Sequence, residues 1–266
     1  MLSINPFAIL ADTVSPIYMQ SFVVLMVLLI AVGTLLDIVH KKNVKYFFEN
    51  AKKAKLSATK ILSTGEKISV ISKTIVSDIA TTSELGAGKR RVAHLLGMYG
   101  TILFWAGSAV MIFCYSSPSS DTPSFWPIIW HVGAIMTVVG GSWFWFFLRV
   151  DVYSEAHPWY RIIKADLFVL ALIASSLFGL IWSCLQSLDL NDRWDDKVFL
   201  VLYIISNFVL FGGVYWSKFA HMFYKPGASI QKNLAEADGS RDNLPPPADA
   251  PEQYGLGIDR EKAKHY

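Results

Sequence analysis

Six histidines are the side chains of this sequence best suited to chemistry: His40, His94, His131, His157, His221 and His265. An imidazole exchanges a proton near neutral pH and ligates transition metals. Two imidazoles presented by two helices at matching depth are what a b-type haem requires, because the flat macrocycle stands between the helices and takes one axial nitrogen from each. His157, beside Pro158, and His265, in the tail, lie in polar stretches that keep both in water. His131, flanked by Trp126 and Trp130, sets a hydrogen-bonding ring beside aromatic faces, an arrangement that suits a quinone.

The elements that must position these residues are membrane helices. Of 266 residues, 53% are apolar and only 17% charged, against roughly 25% charged in a soluble domain. Mean hydropathy is +0.39, and the excess gathers into five runs at 17–39, 92–115, 127–148, 165–185 and 198–217. Each can cross a hydrocarbon core about 30 Å thick at about 1.5 Å per residue. Inside a bilayer each backbone polar group must be satisfied within its own segment, so the runs become helices. The first is too long, and lacks the preceding basic region, to be a cleavable signal peptide. The expectation is an all-α integral membrane bundle of five transmembrane helices, with an outer N-terminus at 1–16, a loop at 40–91 and a tail at 218–266. A soluble enzyme, a nucleic-acid binder and a disulfide-stapled secreted domain are excluded.

Lysine and arginine stay on the cytoplasmic side of short loops. Twelve fall between residues 39 and 92, three between 149 and 164, and seven from 218 onward, leaving only Arg193 and Lys197 for the other face. The chain therefore reads as N-out and C-in, in the cell's inner membrane. His40, His94 and His221 then share one depth near the cytoplasmic face, and spacing alone admits any two of them as a haem pair. Arg90, Arg91, Lys218 and Lys225 stand beside His94 and His221, where they could neutralise two propionates. His131 lies in the outer part of span three without a histidine partner at its depth, and His40 with Asp37 offers a second place for a quinone carbonyl.

The cytoplasmic segments exceed what connection requires. Ile68, Ile71, Ile75 and Ile79 recur at helical spacing, and Ser63 followed by Glu66 forms a capping box before them. This amphipathic helix reads as lying on headgroups or as a shelf for a soluble partner. The proline-rich run at 244–251 predicts an extended, unpacked tail. Small residues in the spans, among them Gly133, Gly140 and Gly141, Ser175, Ser176 and Gly179, and Gly212 and Gly213, predict close helix approach, and Asn207 an interhelical bond. Cys114 and Cys184 are expected as free thiols without metal-site spacing.

Two strings carry a resemblance. Tyr215-Trp-Ser-Lys-Phe-Ala-His-Met-Phe-Tyr-Lys225 is similar to the end of the fifth helix in the respiratory nitrate reductase gamma-subunit family, whose relatives include the membrane cytochrome b of heterodisulfide reductase and the membrane part of the quinone-interacting oxidoreductase of sulfate reducers. Arg91-Val-Ala-His-Leu-Leu-Gly-Met-Tyr-Gly100 resembles that family's opening of helix two, and Asp166-Leu-Phe to Phe178-Gly179 is a weaker third match. The resemblance implies His94 and His221 as axial ligands of haem iron, with Arg91 and Lys218 at the propionates. The outer halves of spans two and five, where two-haem members have further histidines, contain none here, so one cytoplasmic-side haem b is implied. With only two cysteines, any iron–sulfur or flavin centre belongs to a cytoplasmic reductase partner. In form the chain resembles most the membrane anchor associated with dissimilatory adenylylsulfate reductase, which implies sulfur metabolism and electron transfer between that partner and the quinone pool. A haem-free anchor tethering a soluble reductase is the alternative. A channel or transporter subunit is disfavoured by the odd span count and the lack of an inverted repeat.

Overall fold

A computed structural model describes residues 2–86, 88–117, 119–153, 155–188, 193–217, 219, 221–240, 253–254 and 258–259. In chain order the α-helices are α1 (Pro6–Leu10), α2 (Pro16–Lys41), α3 (Asn43–Lys55), α4 (Thr64–Thr74), α5 (Lys89–Cys114), α6 (Phe125–Trp143), α7 (Val150–Tyr153), α8 (Leu167–Ser187), α9 (Trp194–Gly212) and α10 (His221–Ala237). The described residues are otherwise turns, short π and 3-10 segments, and a two-residue antiparallel pairing of Gln253–Tyr254 with Ile258–Asp259. Cys114 and Cys184 are free thiols, the first exposed and the second half-buried.

Among the described residues four helical stretches are long and apolar enough to cross a membrane: Pro16–Lys41, Lys89–Cys114, Phe125–Leu148 and Lys164–Ser187. The chain is thus a multi-pass membrane protein by helix length and composition. The run expected as a fifth span, 198–217, is not among them. Its helix α9 begins earlier, carries Asp195, Asp196 and Lys197 in its first turn, and stops at Gly212, where Gly213 closes the helix on the Val209 carbonyl and 213–217 become turns.

The chain divides into two compact units, one of Met1–Val39 with Val92–Ala220 and one of His40–Arg91 with His221–Tyr266. In the first unit, glycines at a spacing of seven set the closest helix contact. Gly100 of α5 lies so near α6 that an added Cβ would stand 2.7 Å from the Gly133 carbonyl and the Thr137 nitrogen, and Gly140 of α6 mirrors it against Ala93 and Gly97 of α5. With no hydrophobic gain between helices in lipid, such backbone approach is what holds them. Polar side chains then link the helices in pairs. Trp130 donates its indole N–H to Ser108 (2.8 Å), His131 bonds Ser183 (2.8 Å), and Ser175 donates to Asn207 (3.2 Å), the interhelical bond expected of that amide.

The N-terminal segment is built into this bundle. Asn5 caps α1 by accepting from the amides of Phe7 and Ala8, with Pro6 at the first helical position. The Asn5 amide donates to the carbonyl of Tyr115 and to Thr122, tying α1 to the end of α5. Phe7 then packs between Trp130 and Trp182, with ring centroids 5.9 and 5.6 Å away. At the opposite end of α6, Arg149 is buried with Asp166 at the start of α8 (2.8 Å) and lies 4.0 Å over the Trp145 ring.

In the second unit the first part of the tail forms the packed helix α10. The expected helix is present as α4 followed by a π turn at Ile75–Ala80, and both halves of the Ser63–Glu66 capping box are formed. Its polar side chains meet α10: Asn233 donates to Thr74 (2.8 Å) and Asp78 (2.7 Å), and Ser229 to Asp78 (3.2 Å). Ile68 and Ile75 stay exposed. The proline-rich run at 244–251 lies outside the described residues.

Candidate functional site

The first unit forms a half-open cavity of about 410 Å³ walled by α1, α2, α5 and α9. Its walls are almost wholly apolar, with Phe22, Met26 and Ile30 of α2 facing Ala109 and Ile112 of α5 and Phe211 of α9. Phe7 of α1, held by its aromatic neighbours, also lines it. α1 exists because Asn5 and Pro6 start a helix where the chain turns back onto the bundle, so a local cap positions part of the cavity wall.

Four side chains give this lining polar character. Ser108 donates to the Phe104 carbonyl (2.8 Å) while accepting from Trp130. Asn207 donates to the Tyr203 carbonyl (2.8 Å) and accepts from Ser175. Tyr203 is buried and stacked on Trp182 (5.9 Å), and its hydroxyl faces the side chains of Ser108 and Asn207. Trp105 is the exception: its ring is packed against Phe211 and Phe219, yet its buried indole N–H has no acceptor. A buried donor left unpaired costs about 1–3 kcal/mol. A ligand with a hydrocarbon body would fit this apolar lining.

The sequence-predicted site residues lie elsewhere. His94 is an exposed residue in the second turn of α5, in the first unit. His221 is the first residue of α10, in the second unit, with only its backbone described. Lys218 lies outside the described residues. Arg91 gives its Nε hydrogen to the Thr81 carbonyl (2.7 Å), which anchors the start of α5 to the preceding loop. Lys225 pairs with Glu84 (3.7 Å). His131 is 3% exposed with both ring nitrogens engaged, Nδ1 with the Pro127 carbonyl (2.7 Å) and Nε2 with Ser183. It joins α6 to α8, and Trp130 beside it is wholly buried. His40 is exposed, near the end of α2, and Asp37 one turn before it is buried.

Sequence reasoning did not single out Trp105, Ser108 or Tyr203. Ser108 and Asn207 carry the usable signal, polar side chains in the middle of apolar runs; Trp105 carries none, because only the fold leaves its nitrogen without an acceptor. Comparison with known protein families, with curated proteins and with solved structures finds no match.

Proposed function

We propose that this chain is the membrane subunit of a respiratory redox complex. It would pass electrons between an iron–sulfur or flavin partner in the cytoplasm, adenylylsulfate reductase being the candidate, and the quinone pool. The proposal includes five spans with the N-terminus outside, α9 being the fifth, in the cell's inner membrane, and membership in the nitrate reductase gamma-subunit family. The observation that carries it is the apolar cavity, whose aliphatic and aromatic lining matches the isoprenoid chain and the ring of a quinone. Ser108, Tyr203 and Asn207 are the polar groups within the lining, and the aromatic side chains around them exclude water from the ring.

The haem part of the proposal rests on the two sequence strings. Their donor set, one imidazole each from His94 and His221, fits a six-coordinate b-type haem, which when bound supplies one-electron transfer. The basic residues Arg91 and Lys218 would neutralise its carboxylates.

Two measurements test the reading. The absorption spectrum of protein from haem-replete cells, before and after dithionite, should show b-type bands that disappear in His94→Ala or His221→Ala and persist in His40→Ala; no bands favours the haem-free anchor. Binding of a short-chain quinone analogue should weaken in Ala109→Trp, which fills the cavity, and hold in Ile128→Trp, outside its lining. Unchanged binding in Ala109→Trp, or an equal loss in the two variants, refutes the quinone assignment.

A further inference from the structure

α3 touches α10 within its unit but has no buried core of its own. Val44, Phe47, Phe48 and Ala51 follow the i, i+3, i+4, i+7 spacing of an apolar stripe, yet Val44, Phe47 and Ala51 are only half-buried and Phe48 is exposed. Tyr46 and Phe48 are 55% and 61% exposed, and Leu56 and Ile61 beyond the helix are 89% and 95% exposed. A helix of 13 residues is marginal by itself in water, so its apolar face needs cover.

Two observations identify the cover. First, α3 starts one residue after α2 ends, across Lys42, whose left-handed backbone (φ 53°) breaks the helix. The 26 residues of α2 rise about 39 Å at about 1.5 Å each, more than the roughly 30 Å hydrocarbon core. The start of α3 is therefore tied within one residue of the end of a membrane-spanning helix. Second, residues 41–60 hold seven lysines and one glutamate, Glu49, itself paired with Lys45 (3.7 Å). Four to eight basic residues immediately beside a span are the composition that binds anionic lipid.

We infer that α3 docks on an anionic phospholipid surface, with Val44, Phe47, Phe48 and Ala51 at the acyl boundary and the lysines on lipid phosphates. The exposed isoleucines of α4 lack this charge, having only Lys67 and Lys73 among them. The inference needs α2 to span the membrane and is independent of any haem or quinone.

The test uses the full chain with Cys114→Ser and Cys184→Ser, carrying an environment-sensitive fluorophore at Phe48→Cys. The protein is reconstituted in bilayers of phosphatidylcholine alone or with phosphatidylglycerol, each doped with nitroxide-labelled lipid. Quenching should appear with phosphatidylglycerol, fall with salt, and decline about fivefold in docked-to-free ratio for each of Lys45, Lys52 and Lys53 changed to glutamine. Because these positions are exposed, the variants retain the fold, which far-UV circular dichroism checks. A probe in water in both bilayers overturns the inference and leaves the face to a soluble protein. Equal quenching in both bilayers, indifferent to the glutamine substitutions, or quenching at Ile68→Cys in place of Phe48→Cys, overturns it as well.

Discussion

Replacing Arg149 by methionine probes how the ends of α6 and α8 are joined. The Arg149 side chain is 5% exposed and that of Asp166 9%. One guanidinium nitrogen donates to Asp166 (2.8 Å) and the other to the Arg161 carbonyl (2.8 Å), while Asp166 also accepts from the Ile163 amide (3.0 Å). Arg149→Met keeps an apolar stem over Trp145 but leaves the carboxylate with one backbone donor. Breaking a buried pair on one side costs about 3–5 kcal/mol, because the remaining charge stays desolvated. At about 2–4 °C per kcal/mol for a chain of this size, Tm should fall by about 6–20 °C. Replacing both partners, Arg149→Met with Asp166→Leu, removes both charges, and also the Arg149 Nε that is buried without an acceptor. The double variant should therefore recover most of the loss. Thermal unfolding in detergent, followed by tryptophan emission, reads all three proteins. A loss below about 1 kcal/mol in the single variant, the scale of a solvent-exposed pair, would refute the reasoning. So would a double variant as unstable as the sum of the two single changes.

Three further outcomes are expected. Gly140→Ala places a methyl 2.7 Å from the backbone of Ala93 and Gly97 and should cost more than about 1–3 kcal/mol; Gly141→Ala, which meets only the Ile173 side chain, should cost less, and Gly212→Ala, with nothing within 4 Å, should be tolerated. Equal melting temperatures for the three would contradict the packing described. Burial raises the Asp78 carboxyl, but hydrogen bonds from Ser77, Asn233, Ser83 and Ser229 outweigh it and hold the pKa at about 2, below the usual 3.8. A folded pKa below the unfolded one stabilises above the unfolded value, so the α4–α10 contact should loosen as pH falls from 3.8 toward 2; amide exchange in α10 against pH checks this, and Asp78→Asn should remove the dependence. Asn207→Leu loses the bond from Ser175 and should cost about 0.6 kcal/mol, the mean for such bonds between membrane helices, a value that thermal unfolding would contradict if the loss were several-fold larger.

Local and averaged features were legible in the residues alone. The four spanning helices follow from hydropathy summed over about 20 residues, a quantity that needs no partner. The capping box at Ser63 and Glu66 reads equally well, because its two bonds join residues three apart. Asn207 announced an interhelical bond, since an amide in an apolar run has few other options. What stayed hidden depends on long-range contacts. Phe7 and Phe48 are the same residue type in short helices, yet Phe7 is buried between two tryptophans and Phe48 stands open.

Arg149 shows the same division from the side of charge. By sequence it counts as one more basic residue of a loop; in the fold it is a neutralised side chain joining two helices. Composition and periodicity by themselves determined the solvent, the helical class and the lengths of the apolar elements, because these follow from transfer free energies that add residue by residue. Only the tertiary structure decided that α4 meets α10 through polar side chains, that α1 closes one wall of a cavity, and that the Trp105 nitrogen has no acceptor. Each of these depends on which atoms meet, and hydrogen-bond satisfaction is a property of pairs that no single residue carries.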